Sequence, residues 1–217
     1  MKTSLRQFVV SSKTLFGLIG ALILLVAIFG AVNPLFVTAR NLLDILRQMS
    51  NIAIIAIGMT WVIISGEIDL SVGSLVAASS AVFGYLTITA GVPIFVSFVI
   101  ALGLGLFNGL FIGVLRNHFR VPSFITTLGL LSIWRGVAYL ITDGYPISPF
   151  PQNFSVWGSG RVLAVPVAVY VMIALFAIGI YLLNYTRLGR FVYATGSNSD
   201  AAMLSGVPVQ RIRTISF

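Results

Sequence analysis

The sequence predicts an all-α fold, a polytopic bundle of six transmembrane helices followed by the start of a seventh. Hydrophobic residues make up 58% of the chain and charged residues only 8%, with a mean hydropathy of +1.05, which is typical of a protein solvated mainly by lipid. Several apolar segments approach the roughly 20 residues that a helix needs to cross a bilayer. None alternates as a strand would, so helices are the only practical spanning structure.

The apolar segments define the order of the elements. The six run over residues 15–32, 51–65, 72–90, 94–115, 123–142 and 162–183. The second is short, so its helix is expected to begin earlier or to include part of residues 66–71. The closing residues 213–217 resemble the opening of a further span that is cut off. We therefore expect one transmembrane domain over residues 1–217 that is C-terminally incomplete.

Basic residues predict the orientation in the membrane. Six crossings place most Lys and Arg residues on the side of the N-terminus, which the positive-inside rule makes cytoplasmic. The first apolar run is too long for a cleaved signal peptide. On the cytoplasmic side lie Lys2, Arg6, Lys13, Arg116, Arg120, Arg187, Arg190, Arg211 and Arg213, and opposite them lie Arg40, Arg47 and Arg161.

Composition excludes several classes of function. The net charge of +8 does not indicate nucleic acid, because the basic residues lie between spans without interleaved aromatics. The chain has no cysteine, and the lone His118 has no partner at metal-ligand spacing, so no metal site is expected. Five scattered acidic residues argue against a membrane-embedded enzyme, and no phosphate-binding GxxxxGK[ST] loop is present.

The longest polar loop covers residues 184–213 and is expected to be cytoplasmic. Asn198 or Ser199 can cap a helix, Asp200 favours its first turn, and Gly206 followed by Pro208 ends it. A helix of about two turns is marginal without a packing partner. Its exposed residues, expected to include Ala201, Ala202, Met203, Leu204 and Ser205, therefore predict a docking element for a cytoplasmic protein.

Two segments are expected on the outer side. Residues 41–49 form an amphipathic run that can lie along the membrane surface. Residues 143–161 contain three prolines and the aromatics Tyr145, Phe150, Phe154 and Trp157. We interpret this segment as an ordered loop whose rings anchor it at the interface, in preference to a ligand-binding role.

A polar interruption, GEIDLSVG at residues 66–73, indicates a broken or re-entrant turn. Two interpretations remain open. Glu67, Asp69, Ser71 and Gly73 can form a gate or hinge at the membrane edge. Alternatively, Asp69 caps the helix that begins at Ser71, which we favour. A proton relay would need further acids or histidines across the bilayer, and the other spans provide none.

Two further polar residues lie within predicted spans. Arg135 must face the bundle, line a water-filled path or extend towards the interface past Tyr139, and a structural ion pair and a pathway role are equally compatible with its position. Asn108 lies on a face of small residues, for which close helix packing is favoured over substrate binding. That face contains Gly103, Gly105, Gly109 and Gly113.

Three motifs together point to a known family. They are GEIDLSVG at 66–73, VPSFITTLG at 121–129 after the Asn-Gly pair of residues 108–109 and a basic loop, and LGRFVYATGSNSDAAMLSGVPV at 188–209. Across nearly the whole chain this pattern resembles the permease subunits of ABC importers for monosaccharides, the ribose-type family. Glu67 departs from the glycine that the family often has at that position, and family members usually continue with several more spans.

The resemblance implies a subunit that forms the translocation path for a ribose-like sugar and does no covalent chemistry. The implied partners are a cytoplasmic ABC ATPase that holds ATP and Mg, an extracytoplasmic sugar-binding protein, and a second permease subunit in a homodimer within membrane lipid. The residues that match the family's ATPase-contacting loop are Gly189, Arg190, Tyr193, Gly196, Asn198, Ala201, Ala202, Ser205 and Gly206. The alternative is an ion- or proton-coupled secondary transporter of a small polar solute, which predicts charged or unwound elements in paired repeats.

Overall fold

The computed structural model describes residues 2–150, 154 and 160–217, with side chains described from Leu15 onwards. Within this part of the chain the long helices are α1 (Lys2–Val32), α2 (Ala39–Ile64), α3 (Val72–Gly84), α4 (Ile94–Asn117), α5 (Ser123–Thr142) and α6 (Val167–Tyr185). Three shorter helices follow: α7 (Arg187–Ser197), α8 (Ser199–Leu204) and α9 (Val209–Ser216). A 3₁₀ turn, Pro34–Val37, precedes α2, and a π-helical turn, Tyr85–Thr89, extends α3.

Six helices of the described residues are long and apolar enough to cross a membrane, as the sequence predicts. They cover Leu15–Val32, Ala39–Ile64, Val72–Thr89, Ile94–Asn117, Ser123–Thr142 and Val167–Tyr185. In each of these described spans, at most 22% of the most apolar stretch is buried. The outer faces of these helices are therefore apolar and exposed, as expected for a polytopic membrane protein.

The chain divides into two compact units, residues 1–49 and residues 50–217. In the first unit the 3₁₀ turn folds back on the end of α1, where the rings of Phe29 and Phe36 lie 5.5 Å apart. Asn33 caps the turn by accepting a hydrogen bond of 3.0 Å from the backbone N–H of Leu35. A short polar side chain thus caps the 3₁₀ turn that follows α1.

The amphipathic run of residues 41–49 is not an element of its own. These residues belong to α2, which runs without interruption from Ala39 to Ile64. Arg40 and Arg47 consequently lie within a helix and not in a connecting loop. Amphipathic periodicity does not show where a helix ends, because the same pattern fits a surface helix and the polar end of a span.

The core of the second unit lies where α3, α4 and α5 meet. Ala78 and Ala81 of α3 allow close approach of Leu130, Trp134 and Ala138 from α5, and Ile112 of α4 is fully buried beside them. Small residues on one helix thus accommodate large ones on its neighbour, as is typical of membrane helix packing. This three-helix core positions the buried polar residues.

Close packing through glycine involves only part of the predicted stripe. A Cβ at Gly109 would lie 2.7 Å from the carbonyl oxygen of Phe217, and one at Gly113 would lie 2.7 Å from the Thr214 side chain, so α9 lies directly on α4. A methyl group added at Gly103 or Gly105 would have no described atom within 4 Å. Close packing is therefore observed at Gly109 and Gly113, and at Gly103 and Gly105 it stays a prediction that no described residue tests.

The sixth span begins later than predicted, at Val167 and not at Val162. Before it, β1 (Arg161–Val162) and β2 (Val165–Pro166) pair antiparallel in a short hairpin. Leu163 and Ala164 at its tip both have positive φ, of 49° and 67°. Positive φ at both central residues is the geometry of a two-residue hairpin turn, and apolar composition concealed it.

The aromatic residues of the outer loop are placed in part. The ring of Phe83 on α3 lies 5.8 Å from that of Phe150 and 5.1 Å from that of Phe154. These two loop rings therefore pack on the bundle, whereas Tyr145 is 76% exposed. Trp157 lies outside the described residues.

Candidate functional site

The segment that joins α2 to α3 begins with a turn at Ser65 and Gly66, and its residues 67–71, which lie in no helix or turn, are called the extended segment below. Side chains along residues 65–71 alternate between two environments. Ser65, Glu67, Asp69 and Ser71 are buried, while the intervening Gly66, Ile68 and Leu70 are exposed. An extended backbone sends successive side chains to opposite sides. Here the polar side chains point inwards and the apolar ones outwards, which is the reverse of a strand in a soluble protein.

Glu67 is the centre of a buried charge cluster. Its side chain is 3% exposed, and Arg116 Nε lies 2.9 Å from Oε1 and 3.0 Å from Oε2. The hydroxyl of Ser123 donates a hydrogen bond of 2.7 Å to Oε2. Since Arg116 ends α4 and Ser123 begins α5, one carboxylate ties three elements together, and its partners offset the strong desolvation cost of a buried charge.

A second arginine completes the cluster. Arg213 Nε on α9 lies 2.9 Å from Glu67 Oε1, but without the geometry of a hydrogen bond. Burial, and next the positive charge of Arg116, lower the pKa of the Arg213 guanidinium, and Glu67 and Asp200 oppose that shift. The cluster thus holds two guanidiniums against one carboxylate, an excess of one positive charge.

A separate chain of hydrogen bonds begins two residues later at Asp69. Its Oδ1 accepts bonds of 2.7 Å from both the backbone N–H and the hydroxyl of Ser71. Asn108 Nδ2 donates to the Ser71 hydroxyl at 3.3 Å, and Trp134 Nε1 donates to Asn108 Oδ1 at 2.7 Å. Each of these side chains is buried, so α3, α4 and α5 are connected through paired polar groups.

The geometry bears on the alternatives left open by the sequence. Asp69 organises the turn before α3, although through the N–H of Ser71 itself and not through a later N–H of the helix. Gly73 is exposed and has no described neighbour within 4 Å of a methyl group built on it. Asn108 is buried and bonded to Ser71 and Trp134, which agrees with the packing interpretation. A gate or hinge role for these residues stays a prediction.

Arg135 stands apart from both networks. It is exposed in the middle of α5, and no ion pair joins it to any residue in the described part of the chain. Of the three positions considered for Arg135, burial among the described helices is not observed, and a water-filled path or the interface stays a prediction. A charge on this face requires water, a headgroup or another polypeptide beside it.

The polar loop of residues 184–213 contains helices α7 and α8 and the start of α9. Asn198 Oδ1 caps α8 by accepting from the N–H groups of Asp200 at 3.1 Å and Ala201 at 3.0 Å. At the other end Val207 N–H donates to Ala202 O and Gly206 N–H donates to Met203 O, and Gly206 has φ +82°. These are the bonds of a Schellman stop, so the predicted start and end of the helix are confirmed.

The exposed surface of α8 differs in one respect from the expectation. Met203 is 60% and Leu204 89% exposed, and Ala201 and Ser205 are exposed beside them. Ala202 is buried, because α8 rests on its neighbours through this residue. Ala202 therefore supports the helix from within and is not itself available to a partner.

Helix α7 was not predicted and is joined to the extended segment through glycine. A Cβ at Gly196 would overlap the carbonyl oxygen of Ile64, and a Cβ at Gly66 would lie 3.3 Å from Gly196 Cα. At the start of the helix, a Cβ at the buried Gly189 would overlap the carbonyl oxygens that end α6. The backbones of the loop and of the membrane segment therefore touch directly. Arg190, Tyr193 and Asn198, also matched to the family's loop, are exposed.

A cavity of about 620 Å³ opens between these parts of the molecule. Its charged lining consists of Arg116, Arg120, Arg211 and Arg213 with the single carboxylate of Asp200. Met203, Val207, Pro208 and Val209 contribute an apolar side. The cavity thus connects the exposed face of α8 with the buried Glu67 cluster.

The family follows from comparison with known proteins. Residues 41–217 match the model of a family described as "Branched-chain amino acid transport system / permease component". The chain belongs to this permease family. It is accordingly a multi-pass membrane protein, and the six apolar helices of the described residues are long enough to be spans. Among the described residues, no group of three or more His, Cys, Asp or Glu side chains could hold a metal ion.

Several curated relatives are similar over most of the chain. The ribose import permease of Escherichia coli strain K12 is 42% identical over 201 residues, and that of Haemophilus influenzae is 41% identical over 201 residues. Each alignment covers 91% of this chain and 62% of the relative. The ribose import permease of Bacillus subtilis is 37% identical over 198 residues, covering 90% and 61%. The chain thus spans about three fifths of their length. No solved structure matches it.

Sequence reasoning missed the partners of the predicted site residues. Arg116 and Arg213 were used only to orient the chain, and Ser123 and Trp134 were not singled out. Arg116 lies 49 positions from Glu67 and Trp134 lies 26 from Asn108, so no local pattern pairs them. The usable signal was the unusual acid at Glu67, because a buried carboxylate requires a cationic partner.

Proposed function

We propose that this chain is part of the membrane-spanning permease subunit of an ATP-driven importer of a ribose-like sugar. Its place is the inner membrane, and it forms part of the translocation path and does no covalent chemistry. ATP and Mg bind to a partner ATPase. The names of the relatives support the sugar, and the resemblance in residues 188–209 supports the ATPase.

One structural observation carries the coupling role. Helix α8 presents Met203 and Leu204 to solvent on a helix of six residues that is capped at both ends. A helix this short needs packing to persist, and its exposed face offers an apolar contact surface. The ATPase docks on this face, and the basic residues place it on the cytoplasmic side.

Movement of α8 has a direct route into the membrane region. Helix α7 follows α6 and touches Gly66 through Gly196, so displacement of the loop acts on the extended segment that contains Glu67, Asp69 and Ser71. ATP binding in the partner biases the bundle between two states through this contact. Gly73, Asn108 and Arg135 belong to the helices whose relative positions then change, with Arg135 beside the aqueous path.

The other partners follow from the same likeness. A sugar-binding protein delivers the substrate from outside, and a second permease subunit pairs with the first in a homodimer. Membrane lipid covers the remaining apolar faces, and nucleic acid takes no part. Ribose is the proposed substrate because three of the relatives are named as ribose import permeases.

The Ala202→Pro variant of the complete permease tests the proposal. Proline removes the bond of 3.0 Å from Ala202 N–H to Asn198 O and breaks α8, at a cost of about 3 kcal/mol for a helix interior. We expect insertion into the membrane to persist, while the ATPase is no longer retained in a pull-down and sugar uptake stops.

Leu204→Ser provides a matched variant that leaves the backbone intact. Leu204 is 89% exposed, so this change removes contact surface without disturbing the core. We expect weaker ATPase retention with unchanged thermal stability. Normal retention and uptake in both variants would refute the docking role. Uptake that stops with a protonophore at constant ATP would instead support a secondary transporter.

A further inference from the structure

More arginines than acidic residues of this chain lie at the cavity beside α8. Four guanidiniums and one carboxylate line it. Arg116 and Arg213 share Glu67, and among the described residues no ion pair joins Arg120 or Arg211 to a carboxylate. The excess positive charge therefore has two sources. Arg120 and Arg211 are exposed, and Arg116 and Arg213 share the single carboxylate of Glu67.

Two separate elements bring this positive charge to the cavity. Arg120 has φ +57°, a left-handed backbone conformation that is uncommon for a residue with a side chain. Arg211 lies in the first turn of α9, between Val209 and Arg213, which also line the cavity. The cationic groups thus come from the α4–α5 connection and from α9, two separate elements that meet at one opening.

We propose that this cavity receives an acidic side chain of the docked ATPase, which supplies a further anion for the four arginines that line it. This inference rests on the proposed function. Asp200 and Met203 of α8 line the cavity, so a protein seated on the exposed face of α8 reaches the opening directly. A carboxylate matches the fork of a guanidinium and is favoured over a neutral group by the surrounding charge.

The incoming carboxylate also has a consequence inside the bundle. Arg116 and Arg213 are 26% and 19% exposed, so both can be reached from the cavity, whereas Glu67 is 3% exposed. A second acid competes with Glu67 for these guanidiniums. Docking therefore weakens the attachment of the extended segment to α4 and α9, and links ATPase binding to movement at Glu67.

The test measures ATPase affinity for the complete permease in lipid nanodiscs across a series of KCl concentrations. The variants are Arg120→Gln and Arg211→Gln, singly and together, which remove charge from exposed residues without touching the Glu67 cluster. For the double variant we expect affinity to fall about three- to tenfold at low salt, and its salt dependence to become shallower. Arg187→Gln, an exposed arginine of the same loop outside the cavity, serves as the matched control.

The outcomes separate this inference from the proposed function. If the unaltered permease does not bind the ATPase, the proposed function fails. If it binds and the double variant matches the Arg187→Gln control in affinity and salt dependence, the cavity does not receive an acid. Repeating the series in nanodiscs of zwitterionic lipid and with added phosphatidylglycerol addresses a lipid headgroup. An effect of the double variant that occurs only with the anionic lipid would overturn the protein contact.

Discussion

At the residue scale, Glu67 and Asp69 are two buried acids of one short segment with different partners. Glu67 faces two guanidiniums and a hydroxyl, whereas Asp69 accepts only from Ser71 within its own turn. The local role of Asp69 was predictable because its partner lies two positions away. The role of Glu67 was not, because its partners come from three other elements.

This difference predicts unequal effects of two matched substitutions. Glu67→Gln leaves two partly buried guanidiniums without an anion, and we expect it to lower the free energy of unfolding by about 3 kcal/mol. Asp69→Asn retains an oxygen that accepts from Ser71, so its cost is about 1 kcal/mol. Unfolding in mixed detergent micelles measures both. Equal losses would show that the arginines are satisfied without Glu67.

At the scale of elements, the predictions succeeded where a long apolar run or a cap signal defined a helix. Residues 123–142 agree at both ends, and so do Asn198 and Gly206 around α8. Helix α7 was overlooked although Leu188, Phe191, Val192 and Thr195 follow helical spacing and face inwards. Its polar composition concealed the pattern. Helix–helix register depends on tertiary contacts that a single sequence does not display.

The contact between Gly196 and the end of α2 yields a prediction about this missed helix. In Gly196→Ala the added methyl group would overlap the carbonyl oxygen of Ile64, so α7 must shift. We expect a loss of stability of about 1–3 kcal/mol, as for overpacking. Gly136→Ala, in α5 with no described atom within 4 Å of the added group, is the control and should be neutral or slightly stabilising. Thermal unfolding of the two purified variants compares them, and equal melting temperatures would contradict the close contact.

At the scale of the whole molecule, several helices of the second unit bring charged groups together at one place. The end of α2, the end of α4, the start of α5 and helices α7 to α9 meet there, around Glu67 and the arginine-lined cavity. The six apolar spans were predictable from hydropathy, and the uneven distribution of basic residues along the chain was visible in the sequence. Their assembly around one carboxylate was not, because it depends on which helix faces touch.

Orientation can be measured with two introduced cysteines, since the chain has none of its own. Tyr145 and Met203 are 76% and 60% exposed. Tyr145 follows the end of α5, whereas Met203 lines a cavity with Arg120, which precedes the start of the same helix. Tyr145→Cys should react with an impermeant thiol reagent added outside intact cells. Met203→Cys should react only after the membrane is opened, and less when the ATPase is bound. The reverse pattern would invert the topology.

Buried and exposed side chains alternate along residues 65–71. The number of residues in this connection is therefore as important as their identity. Inserting or deleting one residue would turn the carboxylates of Glu67 and Asp69 outwards and bring Ile68 and Leu70 inwards. An insertion of two residues would restore the alternation. Single-residue length changes should therefore be excluded from this connection during divergence, although most links between membrane helices tolerate them.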